Sequence, residues 1–141
     1  MRNALKLTVL VALLAIPSIA SAAGSGRTLA INCGQEQFKP RKIIVACGDG
    51  GIWLSKLKWS SWNGSQASAS GNYNANDCTP DCAGGHVHSY PVKVTLSTPK
   101  TCPGQTARGF KQASLTYTGT RPSVAPRRLT FSCPPVLPGG Y

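Results

Sequence analysis

The sequence predicts an all-β fold: a small antiparallel β-sandwich or barrel of about seven strands, stapled by disulfides. Three observations carry this. Short β-branched or alternating segments are separated by turn residues, and no helical 3.6 period follows residue 22. Two hairpin signals, Asp49-Gly50 and Asn63-Gly64, punctuate the chain. Six cysteines all lie behind an export-type leader.

That leader spans residues 1–22. A basic head holding Arg2 and Lys6 is followed by an apolar run over residues 7–16, and Pro17 breaks it. Ala20, Ser21 and Ala22 supply the small residues of a cleavage point. The run is too short for a membrane span, which needs roughly 20 apolar residues. The expected product is secreted: one domain over residues 23–141, with a flexible start and a proline-rich tail. No later hydrophobic stretch suggests a membrane span, and a monomer is assumed.

The elements follow in order. Residues 28–32 form a first strand. The polar stretch 35–42, with Pro40, reads as a loop. The β-branched run 43–47 reads as a strand buried on both faces. Asp49-Gly50 then closes a hairpin onto a long strand over 52–62. In that strand Trp53, Leu57 and Trp59 share one parity and Lys56 and Lys58 the other, which predicts one packed and one wet face. After Asn63-Gly64 comes a weaker Ser/Ala-rich strand at 66–73, and then a loop at 74–85. Val92, Val94 and Leu96 alternate with Lys93, Thr95 and Ser97 in the strand predicted for 87–98. Ala113, Leu115 and Tyr117 share one side of a strand at 111–118, and Leu129, Phe131 and Cys133 one side of another at 127–133.

Six cysteines leave many pairings open. Local closure favours Cys33–Cys47, Cys78–Cys82 and Cys102–Cys133. Closing the first loop of about 15 residues is worth roughly 3 kcal/mol in the chain-entropy model. Cys78, Cys82, His86 and His88 also lie close enough together to resemble a zinc set. Export to an oxidising compartment favours the disulfides, and His86 with His88 makes at most half a metal site. No metal or cofactor is expected.

Without the leader, 13 Lys/Arg face only Glu36, Asp49, Asp77 and Asp81, a formal charge of about +9. Such a field favours anionic partners: a cell-wall polyanion or glycan first, with nucleic acid unsupported by any motif. The candidate contacts are Lys39, Arg41, Lys42, Lys56, Lys58, Arg127 and Arg128. Trp62, beside the Asn63-Gly64 turn, is the candidate exposed ring, with core packing expected for two of the three tryptophans. No Gly-x-Ser-x-Gly elbow and no persuasive carboxylate pair occurs, so no catalytic residue is expected. The reading is a secreted, non-enzymatic binding domain. The alternatives are a hydrolase using residues 76–88 and a cationic inhibitor or antimicrobial effector.

Several segments occur in a distinctive series: Val45-Ala-Cys-Gly-Asp-Gly-Gly51, Leu57-Lys-Trp-Ser-Ser-Trp62, Asn76-Asp-Cys-Thr-Pro-Asp-Cys-Ala-Gly84 and His88-Ser-Tyr-Pro-Val92. The series resembles small secreted actinobacterial proteins of unassigned function, over roughly residues 38–96. The resemblance implies export and a compact β domain. It supplies no catalytic residues.

Overall fold

The computed structural model describes residues 27–123 and 125–133. The leader, the start at residues 23–26 and the tail at 134–141 lie outside the described residues. The described residues form eight strands: β1 Leu29–Asn32, β2 Gln35–Gln37, β3 Ile43–Ile44, β4 Ile52–Trp62, β5 Ala67–Asn76, β6 Val87–Thr101, β7 Arg108–Tyr117 and β8 Arg128–Thr130. No helix occurs among the described residues.

The long strands β4 to β7 run as an antiparallel meander, each hydrogen-bonded to the next. The whole order is β2-β1-β7-β6-β5-β4-β3, and β8 adds to β7. The far edge of β7 is shared: β1 pairs with Gly109 and Phe110, and β8 pairs with Gln112 to Ser114. The β1–β7 pair is parallel, so the sheet is mixed rather than wholly antiparallel. It curls into a half-barrel with the core on its concave side. Val92, Val94 and Leu96 on β6 are buried, as are Ala113 and Leu115 on β7 and Leu129 on β8. These are the residues whose alternation marks an inward face.

The curl brings β1, second from one end of the strand order, near β3 at the other end. A side chain bridges that seam. Asn32 Oδ1 accepts from the Ile44 amide at 2.8 Å, and Asn32 Nδ2 donates to the Lys42 carbonyl at 3.2 Å. Cys33–Cys47 staples the same seam, Cys78–Cys82 clips the loop after β5, and Cys102–Cys133 ties the end of β6 to the segment after β8. These are the three pairs that local closure favours, and no described cysteine is free.

The structure corrects three local readings. The polar stretch 35–42 is not all loop, because Cys33 (φ 47°) and Gly34 (φ 84°) turn the chain and β2 pairs back on β1. The strand predicted for 43–47 is only Ile43–Ile44. The third correction concerns the faces of β4. Its register against β5 slips between Ser55 and Lys58 and again between Trp59 and Ser61. Each slip adds a residue to β4, and an added residue inverts the alternation beyond it. Leu54 and Leu57 therefore both point inward and are buried, while Trp53 takes the face opposite Leu54. Trp59 and Trp62, of opposite parity in sequence, stand edge to face with centroids 4.6 Å apart. Lys56 carries the first bulge at φ 53°, and Lys56 and Lys58 are both exposed. Gly71 makes room for it: a Cβ there would stand 2.6 Å from the Ser55 carbonyl oxygen.

The turn before β4 rests on Gly50 (φ 68°), whose amide donates to the Ala46 carbonyl at 2.9 Å. A Cβ there would meet nothing within 4 Å, so only the backbone conformation resists substitution. Gly50→Val is expected to destabilise the domain by roughly 1–2 kcal/mol, since a β-branched residue tolerates left-handed φ poorly. An unchanged melting temperature would remove that strain from the account.

Candidate functional site

The loop between β5 and β6, with the start of β6, gathers both histidines and two of the four acids that follow the leader. Asp77 Oδ1 accepts from the His86 amide at 2.8 Å and the Thr79 amide at 3.1 Å, and Asp77 Oδ2 meets His88 Nε2 at 3.0 Å. The His86 amide, then the His88 ring, then the Thr79 amide hold the Asp77 carboxyl at about 2. Asp81 Oδ1 accepts from the Ala83 and Gly84 amides, at 2.9 and 2.8 Å. Asn76 Nδ2 donates to the Cys82 carbonyl at 2.8 Å. The polar side chains of this loop are thus engaged in holding its own backbone.

His88 and Asp77 also line a small hollow of about 180 Å³ with Tyr73, Tyr90 and Pro122. No serine, threonine or cysteine lines it, and the hydroxyls of its lining are the phenols of Tyr73 and Tyr90. His86 is exposed, and among the described residues no three His, Cys, Asp or Glu side chains converge.

A second site lies at the other end of β4, where four distant segments meet. Arg27 precedes β1, Phe38 follows β2, Trp62 ends β4 and Arg108 begins β7. The parallel register Leu29↔Gly109 brings the start of β1 beside the start of β7. Thr28 latches the turn after β4: its carbonyl accepts from Trp62 Nε1 at 2.9 Å, and its hydroxyl donates to the Gly64 carbonyl at 2.9 Å. Arg108 Nη2 donates to the same Gly64 carbonyl at 3.0 Å. These residues line an open cleft of about 620 Å³.

One wall of the cleft is aromatic. Phe38 is 43% exposed and meets Trp62 edge to face, centroids 5.2 Å apart and planes at 68°. Behind Trp62 stand Trp59 and the fully buried Phe110. Trp62 is therefore not the freely exposed ring expected from its turn. It is half-buried, with its indole N–H engaged, and Phe38 is the exposed member of the cluster. The cleft is also cationic. The Arg27 guanidinium lies 4.3 Å from the Phe38 centroid and Lys39 Nζ 5.4 Å from it.

The remaining basic candidates fall into two places. Residues 40–42 pack along β4, with the Leu57 amide donating to the Arg41 carbonyl at 3.1 Å and Trp59 Nε1 to the Pro40 carbonyl at 2.9 Å. Lys42 Nζ stands 5.3 Å from the Trp53 ring. Lys39, Arg41 and Lys42 thus run beside the strand that bears Lys56 and Lys58. Arg127 and Arg128 lie at the start of β8, where Arg127 lines a different hollow with Tyr117 and Arg121. Among the described residues, no lysine or arginine forms an ion pair with a carboxylate; the sole bridge is His88–Asp77.

Sequence reading missed Phe38, Arg27 and Arg108. Phe38 had a local signal, an aromatic at the head of the basic run Lys39-Pro-Arg-Lys42. Arg27 and Arg108 had none, since only the β1–β7 pairing brings them together. Comparison of the chain with protein-family models, with characterised proteins and with solved structures finds no significant match.

Proposed function

We propose that this protein is a secreted, non-enzymatic binding domain whose partner is a polyanion or acidic glycan at or outside the cell surface. One observation carries the reading: 13 described Lys/Arg face four acids, and none of these cations is paired with a carboxylate. Cations left without partners on their own chain produce a positive field that attracts anionic polymers and releases their counterions on contact. Three disulfides suit an oxidising compartment, and no described helix is long and apolar enough to cross a membrane. The loop at residues 76–88 supports the hydrolase alternative poorly, because Asp77 and Asp81 are committed to backbone amides.

Retention on a heparin column is expected to exceed retention on a plain sulfonated exchanger of equal charge density, and to fall steeply with salt. Replacing Lys56 and Lys58 together with Gln is expected to weaken retention without lowering the melting temperature, since both side chains are exposed. Absence of salt-sensitive binding to every polyanion tested would overturn the function proposed.

A further inference from the structure

We infer that the cleft between Arg27, Phe38, Trp62 and Arg108 is a recognition site for a uronate-bearing sugar chain. The inference rests on the polyanion reading and narrows it to one place and one ligand chemistry.

The cleft combines two features that charge alone does not require. It presents an aromatic ring to solvent with one guanidinium stacked on it, and a second guanidinium on a separate segment lines the same cleft. A guanidinium is a planar fork that matches a carboxylate with two parallel hydrogen bonds. Arg108 spends one bond on the Gly64 carbonyl, which fixes its position and leaves further N–H donors uncommitted to protein. Arg27 stacks on Phe38, with no carboxylate of the described residues in bridging distance. Among the described residues no carboxylate occupies either group, so both are open to a carboxylate-bearing ligand.

The aromatic geometry favours a sugar over a nucleobase. The Phe38 and Trp62 planes cross at 68°, so they form a corner rather than a parallel slot that would sandwich a planar base. A pyranose ring offers a C–H face to the exposed phenyl ring and carries its carboxylate at the rim, toward the arginines. The corner is rigidly supported. Trp62 is anchored through its indole N–H to Thr28 and backed by Phe110, so the site is held ready before ligand arrives.

The test is calorimetric titration of the mature protein with four probes: an oligogalacturonate, its methyl ester, polyphosphate and an oligothymidylate. The oligogalacturonate is expected to bind best, and esterification to weaken it at least tenfold. Phe38→Ala is expected to weaken oligogalacturonate binding about tenfold while leaving polyphosphate binding unchanged, because stacking on one ring contributes on that scale. Arg108→Gln, which keeps a donor for the Gly64 carbonyl, is expected to weaken the acid and leave the ester unchanged. Phe38 and Arg108 are both exposed, and near-ultraviolet circular dichroism checks that each variant is folded.

Tighter, Phe38-dependent binding of oligothymidylate would overturn the inference in favour of nucleic acid. Salt-sensitive binding that ignores both substitutions would overturn the cleft as the site and leave the polyanion function standing. Failure of all three anionic probes at low salt would overturn both.

Discussion

Phe110→Ala is expected to destabilise the domain by about 3–5 kcal/mol, the range for removing a buried aromatic ring. Phe110 is 0% exposed and sits where β1, β6 and β7 meet, paired with Ala30 on one side and Pro99 on the other. Its ring stands 5.5 Å from Trp62 at 75°, so its loss opens a void under the aromatic wall of the cleft as well as in the core. Urea denaturation should show the midpoint falling with little change in slope. For a domain of this size the melting temperature should drop on the order of 15 °C. A loss under about 1 kcal/mol would mean that the ring is not enclosed as described. The same variant should weaken acidic-sugar binding more than Lys56→Gln does, because Trp62 loses its support.

Removal of Cys102–Cys133 is expected to have an effect of similar size. The bond spans a sequence separation of 31, and closing such a loop in the unfolded chain contributes about 3–4 kcal/mol in the entropic model. It also secures a weakly held element. β8 has only three residues, and among the described strands it pairs with β7 alone. Leu129 and Phe131, both buried, depend on β8 staying in place. The double variant Cys102→Ser/Cys133→Ser should unfold at lower urea and lose protection of the β8 amides first in hydrogen exchange. Intact mass of the untreated protein should lie six hydrogens below the fully reduced value, matching three disulfides. Two or more titratable thiols per chain would contradict complete pairing.

The elements legible in sequence were those governed by local rules. Strand alternation is a contact pattern written every second residue, so Val92, Val94 and Leu96 declare an inward face without reference to the rest of the fold. Gly50 declares a turn because few other residues accept its backbone angle. An export-type leader and an even cysteine number point to disulfides, and short separations favour the pairs that the structure contains. Where local rules misled, a non-local event intervened. The alternation of β4 is broken by two bulges that exist only against β5, and one of them depends on the absence of a side chain at Gly71. That is why Trp53 exchanges places with Leu54, and why Trp59 and Trp62 share a face that their spacing denies.

By itself, then, the sequence determined an all-β domain, its main core faces and a large excess of unpaired positive charge, since all three are sums or short-range patterns over residue types. The tertiary structure alone decided where that charge acquires shape. Arg27 and Arg108 stand 81 positions apart in the chain and become neighbours only through the parallel pairing of β1 with β7. Phe38 reaches the same cleft because β2 folds back on β1. The physical reason is that backbone pairing across a curled sheet sets distances that no local propensity encodes, and a binding cleft is made of such distances.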